Sequence, residues 1–186
     1  SFPVATNALQ KLQDAASGYG SFPVIARGTT TVRQLPLFVS INKNVYPSLT
    51  AEALRVHADS DHYALSFHGP LPWLPGTTWL NNTKVTIGSL NIATDSATRF
   101  WPYFRWDNPF QHISAWKILA GKIDEKRIQE KLVLVGSSAS GLSSRVTTPL
   151  GQSVPSIAIQ AQAIESILGE TFLTREGWAD LAEIII

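Results

Sequence analysis

The chain has 186 residues, of which 44% are hydrophobic and 16% charged, so it can bury a core and is too apolar to be a disordered segment. Its 15 basic and 14 acidic residues give a net charge of +1, which argues against the basic surface that nucleic-acid binding requires. Cysteine is absent, which excludes disulfides and thiolate metal sites.

The first third of the chain predicts a helix, a strand and a second helix. Thr6 is placed to cap a helix that glycines 18 and 20 would end. Residues 30–41 are rich in β-branched and aromatic side chains, so they predict a strand, which Pro36 must place at a sheet edge or break. The sequence "NKN" follows as a turn, and Ser48 or Thr50 caps the second helix.

The middle of the chain predicts further strands and one long loop. "HYALSF", "KVTIGSLNI" and "RFWPYFRW" have the composition of strands. Residues 69–82 hold three prolines and two tryptophans, Trp73 and Trp79, so they predict a long loop. Ser114 is placed to cap a short helix that Gly121 stops.

The last third contains the strongest helix pattern. The apolar run "LVLVG" at 132–136 predicts a parallel strand that is covered on both faces. A helix follows from Pro155 to Gly169. Its expected apolar stripe is Ile157, Ala161, Ile164 and Leu168, which leaves Gln160 facing away. Strands that alternate with helices indicate an α/β domain with a layered, mixed β-sheet flanked by helices.

The polar loop after 132–136 matches neither of two catalytic or phosphate-binding motifs that it resembles in part. A nucleophile elbow needs Gly-x-Ser-x-Gly, but Gly141 lies one residue too far from Gly136. The same two glycines have phosphate-loop spacing, but no lysine follows them. The loop is therefore expected to close the fold. The alternative is a soluble hydrolase that uses Ser138 or Ser140 with His57 or His112.

Two other clusters offer alternative functions. "HADSDH" at 57–62 gathers two histidines and two aspartates that could bind a divalent cation, although solvated connections have the same composition. The aromatic cluster at 99–106 and the tryptophans of the long loop could form a dimerisation or interaction surface. Strand alternation instead predicts that alternate aromatics of the cluster fill the core.

An ordered series of motifs resembles a known family. "LQDAASGYGSFPV", "TTVRQLPLFVSINKNVYPSLTAEAL", "FQHISAWKILAGKI", "KLVLVGSSASGLSSRVTTP" and "VPSIAIQAQAIESIL" follow one another from about Leu9 to Trp178. They are similar to the second type of CHASE domain, the extracellular sensory module associated with cyclases and histidine kinases. The family's N-terminal portion is not recognised here, so an N-terminally truncated sensor domain is expected.

The resemblance implies a non-enzymatic sensor without a cofactor. It would lie outside the membrane of a bacterial receptor, sense a small molecule or a protein, form a homodimer, and signal to a cytoplasmic cyclase or kinase domain of the same chain. The expected domain covers residues 1–177, and 178–186 ("WADLAEIII") would begin a helix leading toward a transmembrane segment. An ordinary amphipathic helix is the alternative for that end.

The resemblance also selects candidate ligand-binding residues. This chain has Ser144, Ser156, Ala158 and Gln160 where the family has Asp, Gly, Glu and His, so an inherited ligand is in doubt. It keeps the family's residues at positions that look structural: Gly141, Leu142, Thr148, Pro149, Pro155 and Ala161. The residues expected to contact a ligand are Ser138, Ser144, Arg145, Thr148, Gln160 and Arg105.

Overall fold

The computed structural model describes residues 8–22, 31–68, 82–139 and 145–174. Within these ranges the chain forms four α-helices, which are α1 (Gln10–Ala15), α2 (Leu49–His57), α3 (Ala115–Leu119) and α4 (Ser156–Leu168). The nine strands are β1 (Leu35–Pro36), β2 (Phe38–Ile41), β3 (Asn44–Pro47), β4 (Tyr63–His68), β5 (Asn82–Ile87), β6 (Leu90–Thr94), β7 (Arg99–Phe100), β8 (Arg145–Thr147) and β9 (Ser153–Pro155). Single 3₁₀ turns lie at Pro109–Gln111 and Glu125–Arg127.

The strands form small antiparallel sheets packed with the helices, which confirms the α/β class. In the described part of the chain, β1 pairs with β7, β2 with β3, β8 with β9, and β5 lies between β4 and β6. The expected single mixed sheet is therefore divided into four. Among the described residues, parallel pairing is confined to the isolated bridges Ser21–Ser48 and Thr31–Thr147.

Three local signals in the first half produce the expected structure, whereas α1 begins at Gln10 without a side-chain cap and ends at Ala15, before the predicted glycines. The side chain of Ser48 caps α2 by accepting a hydrogen bond from the Ala51 amide. Asn42 and Lys43 both have positive φ, as the two-residue hairpin turn between β2 and β3 requires. β1 ends at Pro36 and β2 begins at Phe38, because a proline cannot continue the hydrogen-bond ladder.

Three strand predictions were wrong in whole or in part. "RFWPYFRW" forms a strand only at Arg99–Phe100, which is β7. "KVTIGSLNI" is a hairpin and not one strand, because Gly88 has a φ of 56° and reverses the chain between β5 and β6. "LVLVG" at 132–136 is not assigned as a strand and pairs with no strand of the described chain, and both of its valines are exposed. The apolar run reflects packing of its leucines on the core, without coverage of both faces.

The core lies where α4 and α2 pack beside the short sheets. Its buried hydrophobic residues are Val32, Leu35, Leu37, Ala51, Leu54, Val85, Ile87, Ile92, Phe100, Val154, Ala158, Ile159, Ala163, Ile164 and Ile167. The predicted inner face of α4 was wrong in part, since Ala161 and Leu168 are exposed and Gln160 is buried. The rest of the protein thus covers a wider part of the surface of α4 than the single apolar stripe that the sequence predicted.

None of the helices in the described ranges is long and apolar enough to cross a bilayer. Both the predicted membrane-directed segment at 178–186 and the tryptophans of the long loop, Trp73 and Trp79, lie outside the described residues.

Candidate functional site

A buried polar contact joins α4 to α2. Gln160 is only 2% exposed, and its side-chain oxygen accepts a hydrogen bond of 2.5 Å from the Thr50 hydroxyl. Thr50 is buried as well, and 110 residues separate the two in the chain. The hydrogen bond compensates for burying both polar groups, so Gln160 faces inward although the sequence predicted that it faces away.

On another side, α4 holds an extended segment that follows β7. The backbone amide of Tyr103 donates to Oγ of Ser166 at 3.1 Å, and the amide of Arg105 donates to Oε1 of Gln162 at 3.4 Å. The amide of Asp107 donates to Oε1 of Gln152 at 3.0 Å, just before β9. Backbone amides need hydrogen-bond acceptors, which a neighbouring strand usually supplies. Here the side chains of Ser166, Gln162 and Gln152 supply them to every second amide.

A small pocket lies where this segment meets the end of α4. It is lined by Tyr103, Arg105, Gln162, Glu165, Ser166 and Thr171. The guanidinium of Arg105 lies 3.8 Å from the carboxylate of Glu165, and both side chains are about half exposed, so solvent screens this ion pair. The enclosed space of the pocket is about 10 Å³, room for about one water molecule, whereas sites for drug-sized ligands enclose roughly 300–1,000 Å³.

Thr148 carries an unsatisfied polar group. Its amide donates to the Gln152 carbonyl at 2.8 Å, and its own carbonyl accepts from the Gly151 amide at 2.9 Å. The hydroxyl oxygen, in contrast, is buried and has no hydrogen-bond partner among the residues that the structure describes. A buried hydroxyl without a partner loses its hydration without compensation, so Thr148 is the predicted site residue with unused binding capacity.

The remaining predicted site residues do not assemble around one cavity. Arg145 is exposed and hydrogen-bonds to the side chain and carbonyl oxygen of Ser153 across the β8–β9 pair. Ser138 lies on the exposed, unpaired segment, and Ser144 lies outside the described residues. No hydrogen bond or ion pair in the described ranges joins any two of the six predicted residues.

A charged network at α2 was not predicted from the sequence. The carboxylate of Glu52 binds the guanidinium of Arg55 at 2.7 Å and accepts a hydrogen bond from the Tyr63 hydroxyl. Arg55 also donates to the carbonyl oxygens of Ser17 and Ser60. The i, i+3 spacing of Glu52 and Arg55 could have indicated their pairing, but no local signal brings in Tyr63 or Ser17.

Burial by itself raises the pKa of Glu52. The hydrogen bonds from Arg55 and Tyr63 and the guanidinium charge together lower the pKa by more, so it lies below its ordinary value. Burial and the hydrogen bond to Glu52 raise the pKa of Tyr63. The network thus connects three parts of the chain through polar contacts: the segment after α1 that contains Ser17, the helix α2 and the strand β4.

The alternative sites gain no support from the described geometry. His57, Asp59, Asp61 and His62 do not form a group that could hold a metal ion, and no such group occurs elsewhere in the described residues. Ser138 has no hydrogen bond to a histidine. His112 instead contacts the Asp107 carboxylate at 2.9 Å.

Replacing Thr148 by valine is expected to stabilise the protein by about 1 kcal/mol, because it removes a buried hydroxyl that has no partner. The free energy of unfolding from urea denaturation measures this. Thr94→Val is the matched control: its buried hydroxyl donates to the Thr83 carbonyl at 2.6 Å, so that variant should lose stability. Equal losses in both variants would show that the Thr148 hydroxyl is satisfied.

Comparison with known proteins yields a single match. A family model described as the CHASE2 domain matches residues 4–186, which is nearly the entire chain. No curated protein and no solved structure matches the chain.

Proposed function

The chain belongs to the CHASE2 family of extracellular sensory domains, and from this membership we propose that it is the extracytoplasmic sensor of a bacterial transmembrane receptor. The match over residues 4–186 is the observation that carries the proposal. Family members are sensory and not catalytic. The sensor would report to a cyclase or kinase domain on the cytoplasmic side of the same receptor.

The contacts of α4 support this helix as the element that moves. Thr50 ties it to α2 through Gln160, while Ser166 and Gln162 tie it to the extended segment after β7. A shift of α4 therefore breaks either its hydrogen bond to α2 or its hydrogen bonds to the segment after β7. A signal favours one of two arrangements only by the difference between its affinities for them.

The signal is proposed to be a protein or a ligand smaller than drug size. The pocket beside α4 is small, and its polar lining of Arg105, Glu165 and Gln162 suits a compact polar group. A thermal-shift screen separates the two cases, because a ligand that binds only the folded state raises the melting temperature with its concentration.

The location is tested with reporter fusions to the full-length receptor, joined within exposed segment 120–125. Alkaline phosphatase folds to activity outside the cytoplasm, whereas green fluorescent protein exported in unfolded form stays dark. The proposal expects active phosphatase and a dark fluorescent fusion. An inactive phosphatase with a bright fluorescent fusion, both present at full length on immunoblots, would overturn it.

The Thr50–Gln160 contact gives a second test, on the coupling of α2 to α4. Gln160→Leu or Thr50→Val alone is expected to cost about 1–3 kcal/mol, because each leaves a buried polar partner unpaired. The double variant should cost less than the sum of the two single changes. Urea denaturation of the three variants measures the coupling, and additive losses would show that the two side chains do not interact.

A further inference from the structure

Residues 132–138 form a segment that has no assigned helix or strand and makes no hydrogen bonds within the described part of the chain. Lys131 still donates its amide to the Ile128 carbonyl at 3.1 Å, but none of the next seven residues makes a hydrogen bond within the described part of the chain. These residues are "LVLVGSS", a sequence of strand character. Both edges of the segment therefore present free amide and carbonyl groups, which is the arrangement that recruits another strand.

The side chains of the segment alternate as those of a strand do. Leu132 and Leu134 pack against the core, whereas Val133 and Val135 face outward, and Val135 is 88% exposed. Gly136 lies close to Ile157 of α4, since a Cβ built on this glycine would come within 3.0 Å of that side chain. The segment thus lies on the surface of the domain, where its two leucines and Gly136 hold it against the core and α4.

We propose that this segment is a homodimer interface in which a second copy of the chain adds its own residues 132–138 in antiparallel pairing. The segment contains no charged residue, so pairing it with itself brings no like charges together. Natural proteins protect free edges from self-pairing by placing charges or prolines there, and both are absent here. The net charge of +1 also leaves little repulsion between two copies.

Symmetry fixes the register of this interface. In a two-fold antiparallel pair, residues directly opposite each other point to the same face, so both leucine faces stay on the core side. Pairing all seven residues places the axis at Val135, which then lies opposite Val135 of the second copy. Opposite Cα atoms are about 4.5 or 5.5 Å apart, depending on the edge used, and disulfides span about 4.4–6.8 Å.

Cross-linking of a single cysteine tests the register, because the natural chain has no cysteine. Val135→Cys, oxidised with copper phenanthroline, is expected to form a disulfide-linked dimer on a non-reducing gel. Leu119→Cys is the matched control, since Leu119 is also 88% exposed but lies on α3. Failure of Val135→Cys to cross-link, or equal cross-linking of both variants, would overturn the proposed register.

Sedimentation equilibrium tests the interface itself. The unmodified protein should show a concentration-dependent dimer, which Val135→Lys abolishes by placing two ammonium groups face to face, while Leu119→Lys leaves it intact. Both positions are so exposed that folding should not change, which circular dichroism verifies. A monomer at all concentrations, or a dimer that survives Val135→Lys, overturns the proposal. The sensory role does not depend on either result, because the reporter fusions measure location alone.

Discussion

Phe100→Ala is expected to destabilise the protein by about 3–5 kcal/mol, the usual range for removing a buried phenylalanine. Phe100 is 0% exposed and lies on β7 opposite Leu35 of β1. Its removal leaves a cavity among the core residues that α4 covers. Urea denaturation followed by circular dichroism gives the free energy of unfolding.

The matched control for Phe100 is an aromatic residue from the same stretch of sequence. Trp106 is 69% exposed, so Trp106→Ala should change the free energy of unfolding by no more than about 0.5 kcal/mol. Similar losses for the two variants would contradict the burial of Phe100 in the core and the exposure of Trp106 at the surface.

Glu52→Ala is expected to cost about 2–3 kcal/mol, because it leaves the Arg55 guanidinium without its counter-charge and the Tyr63 hydroxyl without its acceptor. Glu165→Ala is the control, since the exposed pair of Glu165 with Arg105 should contribute less than about 1 kcal/mol. Urea denaturation at pH 7 compares the two. A larger loss for Glu165→Ala would show that the network at α2 is not the stronger one.

The stabilisation from Glu52 depends on pH with a defined sign. Because the pKa of Glu52 is lower in the folded protein than its ordinary value of 4.5, the unfolded chain binds this proton first as the pH falls. The contribution is therefore complete above about pH 4.5 and is lost below it. The difference in unfolding free energy between the natural protein and Glu52→Ala should shrink through that range, and a difference that stays constant down to pH 2 would contradict this assignment.

Tyr63 adds the opposite dependence at the alkaline end. Its pKa is raised above the ordinary value of 10.0, so its contribution is complete below pH 10 and is lost as the pH rises beyond it. Tyr63→Phe should remove this alkaline loss.

The sequence predicts the parts of the fold that local chemistry controls. The Ser48 cap, the turn at Asn42 and Lys43, and the break at Pro36 each depend on a few neighbouring residues, and all three are confirmed. The segment 132–136 was misjudged because an apolar run shows burial without showing which backbone groups pair. Its leucines meet the core, but no strand of the described chain reaches its edges.

The candidate site was less accessible to sequence reasoning. Gln160 is polar and lies on a helix, so its inward orientation depends on Thr50, whose position follows only from the packing of α2 on α4. Arg105, predicted to contact a ligand, lines the pocket, but the carboxylate beside it, Glu165, comes from an element 60 residues away in the chain. Such contacts arise from tertiary packing, which single-residue patterns do not encode.

Amide hydrogen exchange in residues 103–107, the segment that packs along α4, reports the position of this helix. The bonded amides of the segment are those of Tyr103, Arg105 and Asp107, while the intervening amides of Phe104 and Trp106 have no acceptor among the described residues. In deuterated solvent, alternate amides should therefore exchange slowly and quickly along five consecutive residues. A displacement of α4 would release Tyr103 and Arg105 but leave Asp107 protected, because its acceptor, Gln152, precedes the helix.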